Sequence, residues 1–506
     1  MASDPFILPV APKTWTNHHL NISVPLGARW RVTNEPSPTI TEGLKRAATR
    51  IQRLLSNGVA AGVRVRSCGS RWSFSDIPVA KNGWMIETDQ LNWHRPVKFA
   101  DLDLAYRGTA EELYLAQCGA SIAEINAAIE TPAMGRAFRT TGASNGQTIG
   151  GALGTGIHGS AIDVAGFESQ VAGFQLITST RNIWIEREDA PTLSADYVRK
   201  LGATLVRNSH WFEAGLVSLG ALGVLNAILL KTTGRYRLKS SLVHLAHVQA
   251  KAAMNSLNFT GLALPRPGER PYFFQAILEP STMATAFVHV RYKVSCPPDY
   301  VPNYDIETGY EPGTDLPRMI SAMIDQFPAL RDLTVRTLMG IELAPKDQPL
   351  PKTPGETYTF TKSRRGIASS GFAVPIVQTS AALAVAQQAF RENAAAPVLF
   401  TCRYVQKSPG LLSFTRFDPT CVFDIDGIDS AATQRLIALT ADRLEAAGIP
   451  FTQHWGKTNS LTAARLRRAF GSGIDRWNQI RHEILPSEEE RDAFSTTFLD
   501  GLGLNG

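Results

Sequence analysis

Residues 140–161 read TTGASNGQTIGGALGTGIHGSA, a stretch dense in glycine, with no Asp, Glu, Lys or Arg and with a single histidine, His158. Glycine lets the main chain come close to a ligand and adopt positive φ. Successive free amides then form a concavity suited to an anionic phosphate. The missing carboxylates remove repulsion from such a group. On composition alone two readings stand: a loop over which a large dinucleotide lies, or a long surface loop that tolerates glycine. The stretch is not a Rossmann fingerprint. No GxGxxG follows a strand and opens a helix here, and no GxxxxGK[ST] occurs in it.

The rest of the chain is globular in composition. It has 506 residues, 44% hydrophobic and 19% charged, which at roughly 100–200 residues per domain suits two to four domains, or two large ones. The net charge of +6 is modest for this length. Its densest basic run, ARLRRAF around Arg465, reads as a solvated helix face, so no nucleic-acid partner is expected. The five cysteines (Cys68, Cys118, Cys296, Cys402, Cys421) are odd in number and show no CxxC spacing. That argues against a disulfide framework and against a zinc site, and no metal is expected. MASDPFILPVAPKTW lacks a basic n-region and a long apolar h-region, so no signal peptide is expected. The apolar run AGLVSLGALGVLNAILL from Ala214 is short for a bilayer, and its glycines and Asn226 suggest buried strand and turn. The expectation is a soluble cytoplasmic protein without a membrane span.

Before the glycine stretch, TITEGLKRAATRIQRLLSNG places Leu44, Ala47, Ile51, Leu54 and Leu55 at helical spacing, with Asn57-Gly58 as the stop. GVRVRS alternates Val63 and Val65 with arginines, a strand pattern, and enters the turn CGSRWSFSD. WMIETDQLN reads as a short strand. LYLAQCGASIAEINAAIE reads as strand, turn and helix, with Ser121 and Glu124 spaced for a capping box. From about Tyr236 the texture changes. Strand-like runs (YFFQAILEP, FVHVRYKVSC) alternate with proline-rich stretches near 297–317 and 345–355, and helical patterns appear at SAALAVAQQAFREN and SAATQRLIALTADRLEAAG. This predicts a second α+β domain.

Three ordered motifs carry a resemblance. RVRSCGSRWSFSD (Arg64 to Asp76) and the 140–160 stretch resemble the two FAD-embracing loops of the vanillyl-alcohol oxidase flavoprotein family, with its PCMH-type FAD domain. NSHWFEAGLVSLGALGVL (Asn208 to Leu225) resembles the stretch that closes around the adenine end of FAD. HWGK (His454 to Lys457) is similar to the aldonolactone oxidoreductase branch, which includes lactone-oxidising enzymes and alditol oxidases. The resemblance is close from about residue 30 to 235 and weaker from about 365 to 460. It implies an α+β, two-domain flavoprotein: an FAD-binding domain at 1–235, a substrate-binding cap at 236–457, and a segment at 458–506 that returns to the FAD domain. The cofactor-binding residues it implies are Ser67, Cys68, Gly69, Ser70, Arg71, Trp72 and Ser73 in the first loop. In the second they are Thr141, Gly142, Ala143, Ser144, Gln147, Thr148, Gly150, Gly151, Gly154, Thr155, Gly156, His158 and Gly159. Gly223 and Val224 complete the set.

Departures from the family pattern shape the chemistry. Many relatives carry Gly-x-Gly-His-Ser in the first loop, with the histidine bonded to the flavin; here Trp72 stands at that position. Non-covalent FAD is therefore expected, with Cys68 and Cys118 as packed thiols. His158 matches a loop histidine whose expected role is structural. Ser144 matches a position near the ring, where it either meets a substrate hydroxyl or caps its own turn. The cap strand Glu-x-Arg of relatives reads Thr401-Cys402-Arg403, and a second polar position falls near Asp424. The lost carboxylate has thus moved to a neighbouring strand, or Asp424 is a solvated edge residue. Lys457 is the expected cation near the ring, Arg403 a fork for hydroxyls or a carboxylate, and His454 or Asp424 the proton acceptor. The expected activity is oxidation of a CH–OH group in a polyol, sugar or sugar lactone, by hydride transfer to flavin N5, with O2 as acceptor. A dehydrogenase passing electrons to a quinone or cytochrome is the first alternative. A flavin-binding scaffold without chemistry is the second.

Overall fold

The structure is a computed structural model that describes residues 4–304, 346–347, 350–359, 366–393 and 396–505. Parts of both proline-rich stretches lie outside the described residues.

The first unit is built on two sheets with a helix between them. In the four-stranded sheet the order is Ile7–Pro9, Ala28–Thr33, Trp84–Gln90, Val65–Cys68. Its three inner pairings include two parallel ones, Ala28–Thr33 and Val65–Cys68 each against Trp84–Gln90. The six-stranded sheet has the order Thr204–Arg207, Asn182–Glu186, Val171–Ile177, Val224–Lys231, Leu113–Gln117, His94–Pro96. The helix Ile40–Ala60 lays Leu44, Ala47, Ile51, Leu54 and Leu55 into the core, as its spacing predicts. It runs past the expected Asn57-Gly58 stop. Gly58 lies against the strand Val65–Cys68, where a Cβ would sit 2.2 Å from Val65 Cγ2, so this glycine serves close packing rather than termination.

The capping box forms as read: Ser121 accepts from the Glu124 amide at 3.1 Å, and the Glu124 carboxylate accepts the Ser121 amide at 2.7 Å. The apolar run from Ala214 divides into the end of a helix (Ser209–Leu216), a turn, and the strand Val224–Lys231. Its first part is helix rather than strand, because Asn208 caps it by accepting the amides of His210 and Trp211. Among the described residues no helix is long and apolar enough to cross a membrane.

The second unit is an antiparallel eight-stranded sheet. Its order is Lys346–Asp347, Tyr236–Ala246, Thr285–Ser295, Phe273–Leu278, Val398–Val405, Thr420–Ile428, Ile367–Pro375, Thr452–Gln453. Alternate residues of a strand share a face. One face carries Phe274, Phe400, Cys402, Tyr404, Phe423 and Ile425 into an apolar core with the helices His247–Ser256, Thr379–Glu392 and Ala431–Ala446. The other face is polar and looks at the first unit. After Lys457 the chain forms the helices Ala463–Phe470 and Gly473–Ile484, whose Leu466, Phe470, Ile474 and Trp477 share a core with the first unit.

Candidate active site

A continuous cavity, with about 1930 Å³ of empty space including its mouth, runs between the two units. One wall is made by the turns of the first unit. The strand Val65–Cys68 delivers Gly69 to Ser73 onto it, with Arg71 held at a φ of 62°. The second loop packs on the first: the Thr148 amide donates to the Ser70 hydroxyl at 3.1 Å. Gly69 is fixed by this approach, since a Cβ there would lie 1.9 Å from Thr148 Oγ1. The short helix Ile149–Thr155 follows, ended by Gly156 in the left-handed region. Its Gly154 presents bare main chain: a Cβ there would meet no protein atom within 4 Å. The amides of Ser70, Arg71, Ala143 and Ser144 donate to no protein acceptor among the described residues.

Of the expected cofactor residues, Ser67 to Ser73, Gly142, Ala143, Ser144, Gln147, Thr148, Gly150, Gly151, Gly154, Thr155, His158, Gly159 and Gly223 line this cavity. Three do not. Thr141 is buried with its hydroxyl on the Gly142 carbonyl at 3.2 Å. Gly156 turns toward Val217 and Glu168. Val224 opens a core strand. Trp72 stacks on His18 with ring centroids 4.1 Å apart, and lies so near Gly146 that a Cβ there would be 2.4 Å from the indole. Ser144 Oγ accepts from Gln147 Nε2 at 3.1 Å, so its hydroxyl braces its own turn while lining the cavity. Burial lifts the Cys68 and Cys118 thiols to about 12, as suits packed thiols.

Sequence reading missed Arg66, which lines the same wall. It is buried and donates to the carbonyls of Gly220 (2.8 Å) and Ile77 (3.1 Å), and to those of Leu219 and Phe494. Burial and the nearby Arg481 and Arg64 lower it to about 9. The alternation in GVRVRS marks a strand, but a buried arginine with carbonyl acceptors leaves no signal in such a pattern.

The facing wall is the polar face of the eight-stranded sheet. Thr401 lies opposite Asp424, and Gly371 opposite Asp424 from the other side. The register thus sets Asp424 beside the strand on which Thr401 and Arg403 alternate. Arg403 Nε donates to Asp424 Oδ2 at 3.0 Å, and its Nη2 donates to the same oxygen. Lys457 Nζ donates to Asp424 Oδ1 at 2.5 Å. Asp424 is fully buried rather than a solvated edge residue. Burial pushes its carboxyl up, but Arg403 and Lys457 outweigh that and hold it below the ordinary aspartate value. His454 is buried beside Lys457, and its Nδ1 accepts the Gly456 amide at 3.0 Å. Burial, then Lys457, lowers its ring to about 3, so it is neutral and a poor base. His158 Nδ1 lies 3.0 Å from the Gly159 carbonyl, and its ring packs near His454 and Phe414. Burial, then Arg403, holds His158 well below the ordinary histidine value. Its Nε2 is buried with no protein partner.

Asp426 also lines the cavity and was not singled out. It lies two residues beyond Asp424 in CVFDIDG, hence on the same sheet face, and that spacing was its available signal. Ser369 Oγ donates to its Oδ1 at 2.5 Å, and Thr401 Oγ1 lies 3.4 Å from its Oδ2. Ser369, Gln275, Phe273 and Tyr358 complete this wall. No cluster of three or more His, Cys, Asp or Glu side chains suited to a metal occurs among the described residues.

No family model matches the chain. A stretch of 200 residues, 38% of the chain, is 24% identical to a D-arabinono-1,4-lactone oxidase of Debaryomyces hansenii. It covers 32% of that curated relative, about a third of its length. Over nearly the whole chain the architecture matches solved cholesterol oxidases. One from B. sterolicum superposes with a TM-score of 0.67 at 15% identity, covering 98% of this chain and 97% of its own. A solvent-stable cholesterol oxidase gives 0.69 at 14% identity, covering 99% of both chains. The α+β architecture of the chain is thus that of these solved cholesterol oxidases.

Proposed function

We propose that the chain is an FAD-dependent oxidoreductase that oxidises a CH–OH group of a hydroxylated small molecule, a polyol, sugar or sugar lactone, with O2 as the electron acceptor. The observation that carries this reading is the Arg403–Asp424–Lys457 cluster set across the cavity from two glycine-lined turns. The residues present fit the cofactor. Bare main chain at Gly154, unused amides at Ser70, Arg71, Ala143 and Ser144, and the orphaned His158 Nε2 suit a large, partly anionic, polar ligand. Gly69 to Ser73, Gln147, Thr148, Gly150, Gly151, Gly154, Thr155 and Gly223 would hold it. When bound, FAD supplies the hydride acceptor. Attachment is non-covalent: Trp72 is packed between His18 and Gly146, and the Cys68 and Cys118 thiols are raised and buried.

The chain's own groups do the rest. Asp424 fixes both cations on one sheet face. Arg403 keeps Nη1, and Lys457 keeps the remaining ammonium hydrogens, to orient substrate oxygens. Their positive charge also favours anion formation at the ring edge. The part-length likeness to a lactone oxidase and the fold shared with cholesterol oxidases both agree with an alcohol donor.

The test is anaerobic bleaching of the purified yellow protein by a panel holding xylitol, D-arabinono-1,4-lactone and cholesterol. One of these should reduce the flavin, and air should restore the oxidised spectrum. Slow reoxidation in air with fast reoxidation by a quinone would assign a dehydrogenase instead. Acid precipitation should leave the colour in the supernatant.

A further inference from the structure

Three groups on the polar sheet face are able, by residue type, to take a proton from a substrate hydroxyl: Asp424, His454 and Asp426. Their surroundings separate them. Both Asp424 oxygens are taken by cations, Oδ1 by Lys457 and Oδ2 by Arg403. A carboxylate so bound has little tendency to accept a proton. His454 gives its Nδ1 lone pair to the Gly456 amide and lies between Lys457 and the buried His158 ring. Protonating it would add positive charge to a cluster that already holds two cations.

Asp426 differs from both. It is 6% exposed and what it exposes is cavity. Its partners are hydroxyls: Ser369 Oγ on Oδ1 at 2.5 Å and Thr401 Oγ1 near Oδ2 at 3.4 Å. No ion pair to it is formed among the described residues. The long Thr401 contact leaves lone pairs of Oδ2 available to a substrate O–H.

We propose that Asp426 is the group that accepts the substrate hydroxyl proton, with Asp424 as the fixed counter-ion of Arg403 and Lys457. This rests on the CH–OH oxidation proposed above. In the step, the substrate O–H bond breaks and its proton passes to an Asp426 oxygen. The carbinol C–H bond breaks with its electron pair going to the bound FAD, and a carbonyl forms. The substrate is oxidised by two electrons, the flavin is reduced by two, and O2 later takes those electrons with the hydride's hydrogen and the proton released from Asp426, giving hydrogen peroxide and restoring the carboxylate.

The charged and titratable groups facing Asp426 are Asp424 on its own strand, Arg403 on the neighbouring strand, and Lys457 and His454 on the segment beyond. Ser369 and Thr401 face it as hydroxyls. Burial and the Asp424 charge raise its carboxyl above the ordinary aspartate value, against Lys457, Ser369 and Arg403. The ionised, competent form is therefore lost as pH falls through that raised value. Flavin reduction should show an acid limb.

The experiment compares holoenzyme, Asp426→Asn and His454→Gln, using whichever of xylitol, D-arabinono-1,4-lactone or cholesterol bleaches the wild type. Asp426→Asn keeps the Ser369 contact, so it should retain FAD and reduction by dithionite. Its substrate-driven flavin reduction should fall by roughly 10²–10⁴-fold, and the acid limb should vanish. His454→Gln should keep that limb. Independently of turnover, the wild-type minus Asp426→Asn difference spectrum should contain a carboxylic C=O infrared band that titrates above the usual aspartate range, the bands of buried Glu130 and Glu168 cancelling. Reduction within about threefold of wild type with the limb intact, transfer of the limb's loss to His454→Gln, or a difference spectrum without that band overturns the assignment alone. A yellow wild type that no panel alcohol bleaches overturns the oxidation reading and this assignment with it.

Discussion

The two walls of the cavity recognise in opposite ways. The first unit offers main chain: glycines and small residues whose amides line the cavity, with Arg66 behind them tied to carbonyls. The eight-stranded sheet offers charge: Arg403, Asp424, Lys457 and Asp426 on one face, over an apolar core on the other. Main-chain recognition suits a constant cofactor, because glycine geometry is independent of side-chain rotamers. Side-chain recognition suits a substrate, because a single replacement changes the donor set without disturbing the fold. Thr401 with Asp424 illustrates this. The negative charge sits directly across the ladder from Thr401, which places a carboxylate on Arg403.

The charged wall should be the more costly to break. Asp424→Ala removes the one carboxylate that both cations bond among the described residues. It should lower folding stability by about 3–5 kcal/mol, read from urea denaturation near neutral pH. Because Arg403 and Lys457 hold the folded Asp424 value below its unfolded one, this contribution is present above the unfolded value. It is lost as pH falls through the folded value. The gap between wild type and Asp424→Asn should therefore narrow in acid. A gap constant with pH would remove the ion-pair explanation.

Lys457→Met sharpens the division of labour between the walls. Anaerobic stopped-flow should show flavin reduction slowed by about 10²–10³-fold, with FAD still bound. Loss of FAD at the same time would mean that the charged wall also holds the cofactor. On the other wall, Gly69→Ala drives a methyl to 1.9 Å from Thr148 Oγ1. It should weaken FAD about 30-fold in a fluorescence titration, and Thr148→Gly in that background should restore most of the affinity. The smallest effect is expected at Ser144→Ala. Its hydroxyl is held by Gln147, so steady-state kcat/KM should change by less than about fivefold.

The same contrast explains what was legible in the sequence. The main-chain wall is written in composition. An uncharged, glycine-dense run can be read without knowing its neighbours, and most residues expected on that wall line the cavity. Thr141, Gly156 and Val224 are the exceptions. Nothing in the run separates glycines that face a ligand from those that end a helix, or a loop threonine from one that bonds its own main chain. The charged wall depends on register between strands separated by tens of residues. Arg403 and Lys457 were visible through FTCRYV and HWGK, and Asp424 through its neighbourhood. Asp426 was passed over although it shares a strand face with Asp424, because only the folded sheet sets Ser369 across the ladder from it and brings the Thr401 hydroxyl to its other oxygen. Arg66 was read as one of the polar residues of an alternating strand. Its burial follows from the carbonyls of residues 219, 220 and 494, which sequence spacing does not bring together.

The central claim is that bare main chain in the 69–73 and 142–159 turns binds FAD, leaving its ring beneath Arg403 and Lys457. Titration of FAD into flavin-stripped protein, followed by quenching of flavin fluorescence, tests it most directly. Wild type and Arg403→Ala should both bind one FAD tightly, with Gly69→Ala markedly weaker. A wild-type chain that takes up no FAD, or a Gly69→Ala chain that binds it as tightly as wild type, would contradict the claim.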